Sequence, residues 1–490
     1  MKLITYNISF TIIGFLFLFF YPNQSAALSS LPDRVIIAGK IAGAGSDDTI
    51  TLLLKKEFIY SSIGTEIFST TCDKEGNFSF IFNASHIAMV SLVLNKENPF
   101  ISYQYVEPGD SINCVITKSS DNYTVKYSGR GIEKFNCMAA LAYKRKQLNG
   151  KPFSKTPAGL FSKDSSVNAL EGAFRQSDEM AAELLVVLEK YKNKISSQMM
   201  NLLTADILGE SGRDKCFLIP YFLQKADSEQ RMAIKRLFIN DVYLKNKTFV
   251  GSAAYSGNYI EFLYRRCQQL LVLKNKEGYS INELYNLLFE QYAGFIRERV
   301  LSSFLLRGHT GIDNNEYQTC LQKAIMASST PIYRDYLLKQ FERSSIGAPA
   351  FNFSLPGIDG KLVSLNELKE KIVLVDFWFT GCSACKVLAE ALEKKVIPNF
   401  SNSEVVFVSI CLDKDKAQWL NSLKKGGYSS ATSINLFTAG LAFEHPLVKH
   451  YNIEGCPALL LIDKKSKIIS VSPPREPVAL ISELKKALTL

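Results

Sequence analysis

Cysteine is scarce for the length of this chain: ten residues in 490 are too few to staple a fold of that size with disulfides. Six of them (Cys72, Cys114, Cys137, Cys216, Cys267 and Cys320) show no paired spacing and read as scattered core thiols. Blocks of Lys or Arg are also missing. The net charge of +10 is spread among interspersed acids and bases, with no basic stripe interleaved with aromatics, so no nucleic-acid partner is expected. A second pair of metal ligands is lacking too. His445 and His450 lie five apart, off a shared helical face, and Cys411 and Cys456 stand alone, whereas zinc needs two pairs at comparable spacing. No repeat period is visible.

The one long apolar run is at the start, Ile8 to Phe20, behind Lys2 and ahead of Tyr21-Pro22 and Ser25-Ala26-Ala27. It is shorter than the ~20 residues a spanning helix needs. A basic start, a short apolar core and an A-x-A-like site describe a secretory signal over residues 1–27. The expected location is therefore periplasmic or cell envelope, with an uncleaved membrane anchor as the alternative. Export matters for chemistry, because cytosolic thiols are kept reduced.

What is present is concentrated in Val373-Leu-Val-Asp-Phe-Trp-Phe-Thr-Gly-Cys382-Ser-Ala-Cys385-Lys386. It reads as a buried strand running into two thiols spaced for one helix turn. A C-x-x-C beside a strand–helix pattern is a thioredoxin-like redox signal. The electrostatics favour reactivity at Cys382: a helix N-terminus offers unpaired backbone N–H groups and the positive end of the macrodipole, so the thiolate is favoured over the thiol. Cys385, one turn in and better shielded, can attack a mixed disulfide formed at Cys382. Asp376 sits inside the otherwise apolar run Ile372 to Phe379. A carboxylate there is costly to bury and is neutralised or used. The expected role is a raised pKa beneath the thiols and a proton relay through water; the plainer reading is an edge-of-sheet Asp capping a turn. Lys386 reads as a solvated surface lysine.

Further on, Tyr451-Asn-Ile-Glu-Gly-Cys456-Pro457 leads into Ala458 to Asp463 and, past a charged turn, Ile468 to Val471, a hairpin pattern. Taken in order, Ala348-Pro349 to Gly360, Leu365 to Leu368, the Asp-Phe-Trp and C-x-x-C block, Val405 to Ile410, the segment Gln418 to Leu423 and the Gly-x-Pro strand resemble a thioredoxin-fold domain of the TlpA/ResA type over 346–490. That resemblance implies that Pro457 is a cis-proline facing the thiols and, with Trp378 and Cys456, positions substrate. It implies reductase work on exported protein disulfides, recharged by a membrane electron donor of the DsbD/CcdA type. Gly381 stands where thioredoxins usually carry Trp, and Ser383-Ala384 replaces Gly-Pro. The dipeptide helps set redox potential, so reducing strength is not inherited. Cys456 before the proline is unusual; it is read either as a third redox thiol or as a filler of space. Peroxiredoxins resemble the start of this region but carry Thr three and Pro seven residues before their reactive cysteine; here those positions hold Phe379 and Val375.

From Pro32 to Gly131 the pattern is β: Val35 to Ala38, Ile50 to Leu54, Glu66 to Thr70, Phe78 to Phe82, Val90 to Leu94 and Ser111 to Ile116 are short apolar or alternating runs. An antiparallel β-sandwich over 32–131 is expected, similar to the β domain ahead of TlpA-like domains in Bacteroidetes-type proteins. From Glu133 to Ser345 the period becomes helical, with stripes at Ala169–Ile195, Arg231–Phe238, Tyr259–Leu273, Ile281–Phe304 and Tyr317–Arg343. Their Tyr and Phe residues read as core, not as a cofactor box, so no cofactor is expected. Lys151–Pro157 and Ser344–Pro349 read as linkers. The expected fold class is multidomain α+β: a β-sandwich, a helical spacer over 133–345 and a thioredoxin-like α/β domain with a mixed sheet. The expected function is an exported thiol-disulfide oxidoreductase; the alternatives are a partner-binding scaffold carrying a thioredoxin-fold module or a peroxiredoxin-like thiol peroxidase.

Overall fold

The structure, a computed structural model, describes residues 33–57, 64–95, 99–119, 122–149, 166–224, 226–245, 248–275, 278–307, 313–400, 404–430 and 432–489. The expected signal segment and the Lys151–Pro157 linker lie outside the described residues. Packing divides the chain into two units: Met1–Lys56 with Ile67–Ile132, and Glu57–Glu66 with Glu133–Leu490.

The first unit holds eight described strands: β1 (Arg34–Ile41), β2 (Thr49–Lys55), β3 (Thr65–Thr71), β4 (Asn77–Asn83), β5 (Ala88–Leu94), β6 (Pro99–Val106), β7 (Ser111–Ser119) and β8 (Asn122–Arg130). They form two four-stranded sheets, ordered β4-β1-β7-β8 and β3-β2-β5-β6. Alternate residues of β1, β2 and β4 are buried, the period expected of strands with one covered face. The sheets meet through rings such as Phe78 and Phe100, 6.2 Å apart edge to face. β1 pairs with β7 in parallel, whereas the pairs β1–β4, β7–β8, β2–β5 and β5–β6 are antiparallel. Strands β6 and β8 carry no clean apolar signal in sequence.

In the second unit the helical part comprises α1 (Ile132–Asn149), α2 (Val167–Glu189), α3 (Ser197–Gln224), α4 (Ser228–Phe238), α5 (Gly257–Lys274), α6 (Ile281–Gln291), α7 (Gly294–Leu305), α8 (Asn314–Ala327) and α9 (Pro331–Ser344). Two expected stripes are each split. Ile281–Phe304 breaks where Gly294 takes φ +54°, and Tyr317–Arg343 breaks ahead of Pro331, which starts α9 in its first turn. The longest helix, α3, has no single apolar stripe because it is buried on several sides, from Met199 to Leu223.

The C-terminal part has a five-stranded sheet ordered β13-β12-β11-β14-β15, from β11 (Ile372–Trp378), β12 (Val405–Cys411), β13 (Ile434–Phe437), β14 (Ala458–Ile462) and β15 (Ile468–Ser470), preceded by the hairpin β9 (Ser354–Pro356) and β10 (Leu362–Ser364). β11 pairs with β12 in parallel and with β14 antiparallel, so the sheet is mixed. Val373, Val375 and Phe377 pack on one face with Leu365 and Val448. Ile372 and Leu374 pack on the other with Leu388 of α10 (Ser383–Ala391) and Leu480 and Leu484 of α13 (Pro477–Leu488), while the short α12 (Pro446–His450) lies with Val448 on the first face and α11 (Lys416–Lys425) packs Trp419 beside Trp378 and Phe437. The segment after α9 is not a free linker: the Gly347 and Ala350 N–H groups donate to the Ile468 and Ser466 carbonyls, each at 2.8 Å, strapping it to β15. The helical and C-terminal parts therefore pack as one body. Among the described residues no helix is long and apolar enough to cross a membrane.

Two glycines let α3 approach α5: a Cβ at Gly209 would lie 2.5 Å from the Tyr259 Cα, and one at Gly212 2.5 Å from the Phe262 ring. Gly209→Ala gains about 0.5–1 kcal/mol of helix propensity but overpacks a backbone contact at about 1–3 kcal/mol. The clash is expected to win, lowering the midpoint of chemical unfolding followed by circular dichroism. An unchanged or raised midpoint would show that the two helices can separate freely.

Candidate active site

The site is built where β11 ends. A buried strand between two neighbours fixes the exit point of the chain, and the period of two puts Asp376 on the face of Ile372 and Leu374, toward α10. Ser409, its register partner on β12, donates its hydroxyl to Asp376 Oδ2 at 3.1 Å. Enclosure pushes the Asp376 carboxyl up to about 7, against the opposing pull of that hydrogen bond.

Phe379, Thr380 and Gly381 turn the chain from β11 into α10. Gly381 has φ +96°, a region that favours glycine and explains why no Trp stands there. Two groups hold the turn. Asp413, just past β12, accepts the Thr380 N–H at 2.9 Å and its hydroxyl at 2.6 Å. The Tyr428 hydroxyl accepts the Gly381 N–H at 2.7 Å. Cys382 is then the N-cap of α10, and its sulfur accepts the Cys385 N–H at 3.1 Å. A sulfur in that position replaces the oxygen of an ordinary cap, and negative charge on it is favoured. Cys382 and Cys385 are joined by a disulfide with their Cα atoms 5.3 Å apart. Cys382 is 7% exposed and Cys385 3%, so the outer sulfur of this nearly closed pair is Cys382.

Facing them, the Cys456–Pro457 peptide bond is cis, and the Cys456 carbonyl oxygen lies 3.6 Å from the Cys382 sulfur. Arg475, in the segment before α13, donates to the Pro457 carbonyl. The Cys456 thiol is pushed up to about 12 by burial, with the Asp376 charge adding to the shift. Cys411 is fully buried and raised further for the same reason, while its sulfur accepts the Asp413 N–H at 3.4 Å. Both thiols therefore stay neutral near pH 7, unlike a sulfur at a helix N-terminus. Trp378 is 1% exposed and stacked on Tyr428 at 4.8 Å, so any positioning it does passes through the loop and not through contact. Lys386 is exposed, its ammonium 4.9 Å from the Tyr428 ring centroid.

Asp413, Tyr428 and Arg475 carry the loop geometry, and sequence reading singled out none of them. An acid closing the run Val405–Leu412 was a usable signal for Asp413. Tyr428, in a glycine-rich turn, and Arg475, after two prolines, offered none.

Comparison with known proteins places residues 370–468 in a match to the thioredoxin-like family. Over 138 residues, 28% of this chain and 75% of the relative, the chain is 26% identical to the thiol-disulfide oxidoreductase ResA of Bacillus thuringiensis subsp. konkukian. Over 130 residues (26% and 68%) it is 27% identical to the ResA of Bacillus subtilis. The thioredoxin domain of a thiol-disulfide oxidoreductase from Bacteroides vulgatus is a similar solved structure, 25% identical over 29% of this chain and 96% of that one, with a TM-score of 0.26.

An acid whose folded pKa is raised binds more protons folded than unfolded between about pH 4 and pH 7, so stability falls as pH rises through that window. Relative to Asp376→Asn, the wild type should lose about 2–4 kcal/mol between pH 4 and pH 8, the lower figure because the side chain keeps some solvent contact. Both tryptophans, Trp378 and Trp419, lie in the C-terminal part, so their fluorescence during urea unfolding reads that part alone. Parallel pH profiles for the two proteins would contradict a raised Asp376 pKa.

Proposed function

We propose that this chain, whose C-terminal region is a thioredoxin fold of the TlpA/ResA type, is a thiol-disulfide oxidoreductase that reduces client disulfides outside the cytoplasm. The observation that carries the reading is a linked Cys382–Cys385 pair at the start of α10, set against a cis peptide at Cys456–Pro457. Few arrangements other than dithiol exchange use two sulfurs one turn apart at a helix N-terminus.

In the reduced protein the Cys382 thiolate attacks one sulfur of a client disulfide. A Cys382–client bond forms, the client bond breaks, and the second client sulfur leaves as a thiolate that takes up a proton. Cys385 then gives its proton toward the Asp376 carboxylate through water and attacks the Cys382 sulfur, releasing the first client thiolate. Two electrons pass to the client, and the Cys382–Cys385 disulfide of the present structure results. A carboxyl poised at about 7 can take and return a proton at neutral pH, which is what the resolving step requires. Pro457 and the Cys456 carbonyl present the client backbone to Cys382. Recharging requires an external dithiol donor, for which a membrane protein of the DsbD/CcdA type is the proposed source. The apolar N-terminal segment supports export to the periplasm or cell envelope.

With dithiothreitol as donor, the wild type is expected to reduce insulin disulfides and Cys382→Ser to fall to the uncatalysed background. Wild type as inert as Cys382→Ser would remove the proposal. Cys385→Ser, which can start but not resolve the exchange, is expected to accumulate covalent client adducts on non-reducing gels; adducts forming equally on a Cys382→Ser, Cys385→Ser double variant would instead place the reactive sulfur elsewhere.

A further inference from the structure

The redox turn is held by a carboxylate whose partners include no cation. Asp413, between β12 and α11, is 6% exposed, and its partners among the described residues are hydroxyl, thiol and backbone groups. Its two oxygens divide their work. Oδ1 accepts the Thr380 N–H, and Oδ2 accepts the Thr380 hydroxyl, which in turn accepts from Ser422 Oγ, 2.7 Å away on α11. A carboxylate that accepts on both oxygens carries its charge, and a buried charge is screened little by salt.

That charge lies close to the reactive sulfur. Thr380 is two residues before Cys382, so their Cα atoms are at most about 7 Å apart. Cys411 packs in one cluster with Cys382 and Cys385, and its sulfur is 3.4 Å from the Asp413 nitrogen. Burial opposes the ionisation of Cys411 first, and the Asp413 charge opposes it as well. The donors of the turn point away from the Cys382 sulfur: the Thr380 N–H goes to Asp413, the Gly381 N–H to Tyr428, and the Cys382 N–H to the Phe379 carbonyl at 3.2 Å. Facing that sulfur at 3.6 Å is the Cys456 carbonyl oxygen, the negative end of a dipole. The helix end favours the thiolate, and these neighbours oppose it.

The balance matters for the direction of exchange. A dithiol whose thiolate is strongly stabilised keeps its electrons and makes an oxidant; one less stabilised gives them up. We propose that Asp413 is a positioning residue that tunes this balance: its charge at the turn holds the Cys382 thiolate less stable than the helix end alone would, and so keeps the dithiol a donor of electrons to client disulfides. The inference rests on the reductase reading above and adds the residue that sets its direction. Asp376 does different work, since it lies within β11 and serves the proton of Cys385.

The test equilibrates the full chain and its Asp413→Asn variant with mixtures of reduced and oxidised glutathione. Two glutathione thiols are oxidised for each Cys382–Cys385 disulfide reduced. Alkylation and mass spectrometry of the tryptic peptide Ile372–Lys386, which holds no other cysteine, read the oxidised fraction. Asparagine can still accept the Thr380 N–H but brings no charge. At pH 8 the variant is expected to favour the dithiol by roughly tenfold more than the wild type, the size of a unit charge acting across about 10 Å of protein. That is a rise of about 30 mV in potential. The gap should close toward pH 5, where the Cys382 sulfur is protonated in both proteins. Asp376, Lys386, Cys411, Tyr428, Cys456 and Arg475 titrate in both, so they leave the difference between the two unchanged. Equal potentials at pH 8, or a gap as wide at pH 5, would overturn the inference. Thr380→Val keeps the charge and loses one hydrogen bond to it, so its potential should stay within about twofold of wild type; a tenfold shift there would assign the poise to hydrogen bonding and overturn the inference whether or not the Asn variant folds. A wild type that reduces insulin while these comparisons fail leaves the reductase reading intact, whereas one inert toward insulin removes that reading and this inference with it.

Discussion

The arrangement depends on one sulfur occupying the place of a helix cap. Cys382 accepts the Cys385 N–H at the first turn of α10, where unpaired donors and the helix dipole favour negative charge. That placement is secured from behind. β11 is hydrogen-bonded on both edges, so its end cannot shift without breaking the sheet, and Asp413 and Tyr428 each accept a backbone N–H of the turn that follows. The cap is therefore a product of sheet pairing, not of the helix alone.

The same neighbourhood sorts its four cysteines by environment. Cys382 and Cys385 form the pair; Cys411 and Cys456 are held as neutral thiols by burial, and for Cys456 the Asp376 charge adds to the effect. Identical side chains within one cluster thus divide into a disulfide-linked pair and two thiols kept neutral by burial. Asp376 is caught between the same influences: enclosure raises it, Ser409 lowers it, and the balance near 7 suits a group that gives and takes protons at neutral pH.

The helical part is more than a spacer in one respect. Its hydrogen bonds to the His450–Asn452 stretch tie it to the loop that carries Cys456 and Pro457, and it supplies a cationic wall at that loop.

The local pattern was enough to locate the strand–C-x-x-C–helix block, the Gly-x-Pro strand, most β runs of the first unit and the long amphipathic helices, because each has a periodicity or spacing that belongs to one segment. Where burial is not one-sided the pattern failed: α3 is covered on several faces and β6 and β8 lack an apolar alternation. The partners of the redox turn were illegible for a different reason. Asp413 lies 33 residues and Tyr428 47 residues from the atoms they hold, and Arg475 lies 18 from the carbonyl it meets. Spacing along a chain determines which thiols can form a turn-sized pair; only the register of β11 against β12 and β14, and the packing of the helical part on the cis-proline loop, decides what surrounds them, since those neighbours are brought together by the sheet and the core and by nothing in their own sequence.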